Sequence, residues 1–327
     1  MSSSASHVTR WHHMLVGLAA TALLATSACT ASSGRSASAT LAPQTTSAPS
    51  ADRPAFDGER AFAILKAQCD LGARVPGTPA HRKGRDYLIA ELGKYADRII
   101  EQDFTFERLP MTNIIGIINP SAKRQVLLCA HWDSRPYADE EISASKRRQP
   151  VMGANDGASG VAVLLELARL FKEKTPAVGV VIALFDGEDY GDFARDWGVF
   201  LGSRYFAKRI KQIGSPAYGI LLDMVGDRNL TIYREGISEQ RAPTINDLVF
   251  GVARELGYQR YFVNSVRHTV LDDHVPINDA GVPCIDLIDF DYAYWHTVDD
   301  TPDKCSASSL KVVGDTVAEV IYRERDR

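Results

Sequence analysis

The sequence contains few cysteines, no serine-nucleophile motif and no segment of strongly unbalanced charge. Only five of its 327 residues are cysteines, and no pair has the Cys-x-x-Cys spacing of common metal and redox motifs. No Gly-x-Ser-x-Gly pentapeptide occurs, so the sequence gives no support for serine-hydrolase chemistry. The net charge of −4 gives no reason to expect binding to nucleic acid or to an acidic membrane surface.

The N-terminal 29 residues have the features of an export signal. A weakly basic HVTRWHHM segment precedes the apolar run LVGLAATALLA, which is too short to predict a membrane-spanning helix. The following TSAC resembles a bacterial lipobox, with Thr26 where Leu is usual, and predicts a lipid anchor on Cys29. Ordinary cleavage and release is the alternative. Both routes place the mature protein outside the cytoplasm, in the cell envelope, the periplasm or the medium.

Residues 30–53 are almost entirely Ser, Ala, Thr and Pro, a composition that predicts a disordered linker. The folded domain is therefore expected to span residues 54–327. An exported domain can form disulfides. Cys129 and Cys284 lie in apolar, strand-like runs and are expected to be buried thiols, whereas Cys69 and Cys305 adjoin helices and the sequence leaves their pairing open.

Strand-like and helix-like segments alternate along this domain. Near-continuous apolar strands between amphipathic helices predict a single α/β domain with a mixed, mostly parallel central sheet flanked by helices. The predicted helices are 57–68, 81–96, 159–174, 203–213, 245–257 and 308–324, and the predicted strands are 112–120, 124–132, 179–187, 218–227 and 282–290.

Histidines and carboxylates follow the ends of the predicted strands. Ligands of parallel sheets gather at the carboxyl ends of the strands, so we expect these side chains to converge. Taken singly, Asp156 would be a helix cap and His131 a hydrogen-bonded core histidine. Asp223 lies in an apolar strand, where an unpaired carboxylate is costly. Together they predict a divalent-cation site with mixed Asp, Glu and His ligands, typical of catalytic zinc.

The stretch VIALFDGEDYG places three carboxylates, Asp186, Glu188 and Asp189, at the end of one apolar strand. Adjacent side chains on an extended chain point in opposite directions, so Glu188 and Asp189 can share a site only if the backbone turns. Gly187 is the residue expected to permit that turn. We expect the Asp186 side chain to form a hydrogen bond that stabilises this turn.

Six motifs in sequence order resemble one known family: HWDS, GANDGASG, FDGED, LDMVG, DDHVP and YWHTVDD. The chain is similar over about residues 57–325 to the zinc aminopeptidase-like fold of peptidase family M28. Within this family it resembles the animal-type glutaminyl cyclases and their bacterial relatives. The resemblance implies an acyltransferase that converts the N-terminal glutamine of peptides or proteins to pyroglutamate. We also expect the protein to be a monomer.

The resemblance also implies roles for individual residues. It implies one zinc ion per chain, held by Asp156, Asp189 and His296. Glu188 would transfer the proton, and Asp223 and Asp272 would form hydrogen bonds around it and the substrate amine. Trp295 and Trp197 would line the glutamine pocket. This sequence departs from the family pattern at Asp189, where animal cyclases have Glu, and at Ala73, where the family has Pro.

The principal alternative is a two-zinc aminopeptidase on the same fold, with His131 and Asp223 as added ligands and Glu188 activating water. Three features favour the cyclase: Asp272 where peptidases commonly have a small hydroxyl residue, Trp295 rather than Tyr before the zinc histidine, and the Glu-Asp pair. A third hypothesis is a catalytically inactive binding domain. Such domains lose metal ligands, and none of the expected ligands is missing here.

Overall fold

A computed structural model of the chain describes residues 53–326. The predicted signal segment 1–29, the lipid anchor on Cys29 and nearly all of the predicted linker 30–53 lie outside these residues. The helices are α1 Gly58–Asp70, α2 Pro79–Gly93, α3 Ala158–Glu173, α4 Leu201–Ala207, α5 Ile210–Ile213, α6 Gly236–Arg241, α7 Pro243–Glu255, α8 His274–Asp279 and α9 Ala307–Arg323. The strands are β1 Arg98–Phe106, β2 Leu109–Ile118, β3 Gln125–His131, β4 Gly179–Phe185, β5 Pro216–Asp223, β6 Ile232–Arg234, β7 Phe262–Val266 and β8 Cys284–Ile288.

The central sheet has six strands in the order β1-β2-β4-β3-β5-β8. Strands β4, β3, β5 and β8 are parallel neighbours, while β1 and β2 form an antiparallel hairpin whose second strand pairs with β4. This arrangement confirms the predicted mixed, mostly parallel sheet. All four parallel strands end at one edge of the sheet, so the loops that follow them share one surface.

The apolar runs form these strands because both faces of the sheet are covered. Every residue of β4 is buried, as are six of the seven residues of β3. The larger core lies on the face covered by α1, α3 and α9, and a smaller core lies under α4 and α8. Helix α3 approaches the sheet closely at Gly160, where an added Cβ would lie 2.1 Å from the carbonyl oxygen of Leu222.

The structure differs from the predicted elements in several places, and the short helices α6 and α8 were not predicted. The segment 203–213 forms two short helices, α4 and α5, rather than one. The edge strand β1 was not predicted, because its charged residues interrupt the apolar pattern. The short strands β6 and β7 pair in a separate two-stranded sheet and also escaped prediction.

Within residues 53–326, no helix is long and apolar enough to cross a membrane. The four cysteines of this part of the chain, Cys69, Cys129, Cys284 and Cys305, are buried free thiols. Burial is the expected state of Cys129 and Cys284, and the structure contains no bond between Cys69 and Cys305.

Candidate metal and catalytic site

The loops at the carboxyl ends of the parallel strands bring most of the predicted site residues together. Helix α3 begins after Gly157 without a side-chain cap, so Asp156 does not serve as its cap. Instead, the Asp156 carboxylate lies 2.9 Å from Nε2 of His131, the last residue of β3. The Asp223 carboxylate, at the end of β5, lies 3.2 Å from the same nitrogen.

Asp156, Asp189 and His296 form a compact trio. Each offers one ligand atom, and the three atoms lie within 4.8 Å of one another. Nε2 of His296 is 3.3 Å from the Asp189 carboxylate and 3.8 Å from that of Asp156. All three residues are buried, and Oδ2 of Asp189 has no hydrogen-bond partner among the described residues. Two carboxylates and an imidazole with an unsatisfied oxygen fit a divalent cation such as zinc.

The backbone turn that presents the acid pair begins at Gly187, which has a φ of +73°. This left-handed conformation suits glycine. The Asp133 side chain then fixes the turn, because its two oxygens accept hydrogen bonds from the backbone N–H groups of Glu188 and Asp189 at 3.1 and 3.2 Å. The turn therefore lets adjacent residues reach one site, as the sequence requires.

Asp186 faces away from this turn. Its carboxylate accepts hydrogen bonds from the Thr112 backbone N–H at 2.7 Å and from Nε2 of His81 at 2.8 Å. Burial raises the pKa of Asp186 to about 6, although His81 opposes that shift. Asp186 thus ties the end of β4 to α2 and β2, which is a wider role than the local bond expected from the sequence.

Three further carboxylates, Glu188, Asp223 and Asp272, line a pocket beside the trio. All three are buried, with exposed fractions of 7%, 8% and 3%. Burial raises the pKa of Glu188 well above its usual value, and Asp189 and Asp272 add to the shift against the opposing effect of His131. Burial and the Asp223 carboxylate likewise raise the pKa of Asp272. Closely spaced buried acids of this kind hold and exchange protons.

His131 lies beneath these acids as a compensating base. Burial alone would lower the pKa of His131, but the neighbouring carboxylates of Asp133, Asp156 and Asp223 raise it well above the usual value. His131, Asp156 and Asp223 also form a second trio whose ligand atoms lie within 4.8 Å of one another. The same three side chains could therefore form a hydrogen-bonded network or hold a second cation.

The pocket has a volume of about 250 Å³ and an aromatic wall. Trp295 lines it and stacks on the His296 ring with centroids 3.9 Å apart, and Phe193, Phe200 and Phe290 complete the wall. The structure does not bring Trp197 into the pocket. Its side chain is 46% exposed and packs edge-on against Phe106, because its backbone bridge to Asp192 folds the loop back on itself.

Several residues that support the site were not predicted from the sequence. Asp300 is buried and accepts hydrogen bonds from the backbone N–H groups of Asn155 and Asp156, which holds the loop that carries the first trio carboxylate. Phe193 and Phe200 carry no polar signal, and only the folded loop shows that they line the pocket.

Comparison with known proteins agrees with this geometry. The profile of peptidase family M28 matches residues 113–321. The crystal structure of Tannerella forsythia glutaminyl cyclase is 40% identical, with a TM-score of 0.80, and the similarity covers 83% of this chain and 100% of that one. The structure of a leucine aminopeptidase precursor from Bacteroides thetaiotaomicron is 38% identical, with a TM-score of 0.81, covering 84% and 99%.

A curated animal protein is also similar to this chain in sequence. Glutaminyl-peptide cyclotransferase of Bos taurus is 26% identical over 276 residues, which cover 72% of this chain and 74% of that protein. The chain therefore belongs to peptidase family M28 and, within it, groups with the glutaminyl cyclases.

Proposed function

We propose that this protein is a glutaminyl-peptide cyclotransferase. Its substrates are peptides or proteins that begin with glutamine. The substrate's α-amine attacks the γ-carboxamide carbon, a new C–N bond closes the five-membered pyroglutamate ring, and the C–N bond to the amide nitrogen breaks to release ammonia. The similar proteins from Bos taurus and Tannerella forsythia are named for this reaction.

The observation that carries the proposal is the enclosure of Glu188, Asp223 and Asp272 in one aromatic-walled pocket beside the cation trio. A cyclisation needs no bound water as nucleophile. It needs an amine oriented against a carbonyl and a group that moves one proton between two nitrogens. Buried carboxyl groups with raised pKa values suit that proton transfer, and Asp272 supplies one where peptidases of the family commonly have a hydroxyl group.

Each residue then has a specific role. Glu188 accepts a proton from the attacking amine and returns one to the departing nitrogen. Asp223 and Asp272 accept hydrogen bonds from the amine and keep it pointed at the carboxamide, which lowers the entropic cost of ring closure. Trp295, with Phe193 and Phe290, packs against the methylene groups of glutamine and excludes water.

Asp156, Asp189 and His296 would hold one zinc ion per chain. Zinc bound there supplies a Lewis acid for the carboxamide oxygen and a positive charge that lowers the pKa of Glu188. His131 keeps Asp156 and Asp223 in place through its contacts with both carboxylates.

The proposal extends to cellular location and assembly. The N-terminal 29 residues direct export, Cys29 carries a lipid that anchors the protein to a membrane, and residues 30–53 separate that anchor from the domain. The enzyme acts as a monomer in the cell envelope. Globomycin inhibition of processing, or mass spectrometry of the mature N-terminus, distinguishes lipidation at Cys29 from simple cleavage.

A direct assay tests the reaction. The purified protein is incubated with a glutamine-initiated peptide and with a leucine-initiated chromogenic amide. We expect ammonia and pyroglutamyl peptide from the first and no cleavage of the second. Release of leucine without pyroglutamate would overturn the proposal.

The second candidate function is a two-zinc aminopeptidase. The second trio of His131, Asp156 and Asp223 favours it, as does the relative named as a leucine aminopeptidase precursor. In that enzyme Glu188 would activate water rather than an amine. Metal analysis separates the two functions: the cyclase is expected to bind one zinc per chain, and the peptidase two.

A further inference from the structure

The charged loop between β3 and α3 reaches underneath the cation trio. Arg135 and Asp139, both from this loop, form a two-pronged ion pair in which Nε and Nη2 of Arg135 donate to the two oxygens of Asp139 at 2.6 Å each. Arg135 is buried, with an exposed fraction of 6%. The loop therefore brings a buried cation and a partly exposed anion next to the trio.

Asp139 contacts His296 on the side away from the trio. Oδ1 of Asp139 lies 3.2 Å from Nδ1 of His296, and Nε2 of the same ring faces Asp189 and Asp156. A carboxylate at Nδ1 holds the proton there, which leaves the Nε2 lone pair free for a metal. Asp139 thus selects the tautomer that can act as a ligand.

Arg135 contacts both the side chain and the backbone of Asp189. Its Nη1 donates to Oδ1 of Asp189 at 3.0 Å and to the Asp189 backbone carbonyl at 3.1 Å. These bonds satisfy one carboxylate oxygen and leave Oδ2 without a partner among the described residues. The guanidinium group therefore fixes both the backbone and the side chain of Asp189, so that one oxygen remains available.

The contacts close a ring in which Arg135 links Asp189 to Asp139, Asp139 links Arg135 to His296, and His296 faces Asp189. Phe193 covers the outer side of this ring, with the Arg135 guanidinium 5.0 Å from its ring centre and the His296 ring 5.9 Å away. Phe193 and the surrounding burial shield the Arg135 guanidinium from water, whereas the Asp139 side chain is 45% exposed.

We propose that Arg135 and Asp139 are positioning residues that hold Asp189 and His296 ready for the zinc ion. Asp189 is one methylene shorter than the Glu of animal cyclases, so its placement depends more on the backbone. Arg135 grips that backbone through the Asp189 carbonyl. The inference rests on the zinc site of the proposed function but not on which reaction the site catalyses.

The test measures zinc binding in Asp139→Ala, Asp139→Asn and Arg135→Lys. We expect zinc affinity, measured by competition with a chromogenic chelator, to fall roughly 10- to 100-fold in Asp139→Ala. Asp139→Asn retains an acceptor for Nδ1–H and is expected to lose less. Arg135→Lys keeps the charge but not the two-pronged geometry, so its zinc affinity is also expected to fall.

A purely structural role would give a different result. It would lower the melting temperature of the zinc-free protein, whereas a positioning role leaves that temperature near the wild-type value and reduces the increase produced by zinc. Above the His296 pKa of about 9, where the imidazole is neutral, its ¹⁵N chemical shifts in the zinc-free protein should also show the Nδ1–H tautomer in wild type and a tautomer mixture in Asp139→Ala.

Asp247→Ala is the matched control. Asp247 accepts a comparable 2.6 Å hydrogen bond from Arg234, and neither residue belongs to the trio or to the loop between β3 and α3. It should leave zinc affinity unchanged. Wild-type affinity in Asp139→Ala and Arg135→Lys would overturn the inference. Failure of wild type to cyclise glutamine, with zinc binding still weakened in the variants, would instead count against the proposed function alone.

Discussion

At the residue scale, carboxylates of the same chemical type perform different tasks because their partners differ. Asp186 accepts hydrogen bonds from His81 and the Thr112 backbone and joins elements. Burial alone would raise the pKa of Asp189, but His296 and Arg135 hold it below its usual value. Glu188 lies 3.9 Å from the more distant His131 ring, and burial raises its pKa well above the usual value despite that charge. Proximity in sequence therefore says little about function among these three acids.

Glu188→Gln is expected to lower kcat by roughly two to four orders of magnitude, because the amide cannot transfer a proton. Zinc content should stay at the wild-type level, since Glu188 is not in the trio. Ammonia release and metal analysis of the same preparation measure both effects. Glu140→Gln, which changes an exposed acid, is the control. Loss of zinc from Glu188→Gln would show that Glu188 and Asp189 have been assigned in the wrong order.

Asp289 provides a pH-dependent prediction away from the trio. It is buried and accepts hydrogen bonds from the backbone N–H groups of Thr231 and Asp291, and burial raises its pKa to about 7. The folded state therefore keeps a proton that the unfolded state loses near pH 4, and this contribution to stability declines as pH rises from about 4 to about 7. Asp289→Asn should remove that decline.

The measurement is the free energy of unfolding of wild type and Asp289→Asn across this pH range. The difference, variant minus wild type, should increase with pH between about 4 and 7, with a slope of up to about 1.4 kcal/mol per pH unit, and stay constant above pH 7. Asp303→Asn is the control, because the exposed Asp303 has its pKa lowered to about 2 by Lys304 and Thr301. A pH-independent difference for Asp289→Asn would contradict the prediction.

At the scale of the element, the site depends on how closely α3 approaches the sheet. The loop that carries Asp156 leads directly into α3, so the position of this helix sets the position of the carboxylate. At Gly157 an added Cβ would lie 2.4 Å from Nε2 of His131, and at Gly160 it would lie 2.1 Å from the Leu222 carbonyl oxygen. Small residues at the start of the helix allow this approach.

Gly160→Ala should destabilise the protein by about 1–3 kcal/mol, because α3 must move away from β5 to admit the methyl group. Activity should fall as well, since Asp156 moves with the helix. Gly251→Ala is the matched control: Gly251 lies inside α7, and its added Cβ meets no heavy atom within 4 Å. That variant should gain up to about 1 kcal/mol. Urea titration gives the free energy of unfolding of both variants. Equal changes in the two variants would contradict the close approach of α3 to the sheet at Gly160.

At the scale of the whole molecule, the parallel strands gather charges that the fold cannot neutralise by itself. Burial and neighbouring carboxylates raise the pKa of Asp156 to about 6, while Asp189 and Asp139 raise the pKa of His296 to about 9 against the effect of burial. A cation bound to the trio compensates several of these groups at once. Metal binding and overall stability are therefore coupled.

Removal of zinc by a chelator should abolish cyclisation and lower the melting temperature, and added zinc should restore both. A ligand present at 1,000 times its dissociation constant stabilises the folded state by about 4 kcal/mol. Calorimetry with and without metal measures the effect. Magnesium should not substitute, because it disfavours imidazole ligands. An unchanged melting temperature after complete removal of zinc would contradict the coupling.

The fold class and most of the candidate site were predictable because both depend on local patterns. Apolar runs mark the buried strands, and the carboxyl ends of parallel strands converge in any such sheet. Asp156, Glu188, Asp189 and His296 therefore met in the structure as expected. Trp197 did not join them, because the direction of a side chain in a loop depends on bonds such as the bridge to Asp192, which no local pattern encodes.

The sequence by itself determined the buried parallel strands and the longer helices between them, the chemistry at the strand ends and the need for a turn at Gly187. Only the tertiary structure showed that Asp133 fixes that turn, that Asp300 holds the Asp156 loop, and that the 134–152 loop passes beneath the trio. These contacts join segments 55 to 157 residues apart. Hydrogen bonds over such separations form only when the whole sheet is assembled, and for that reason the residues that position the site remained invisible in the sequence.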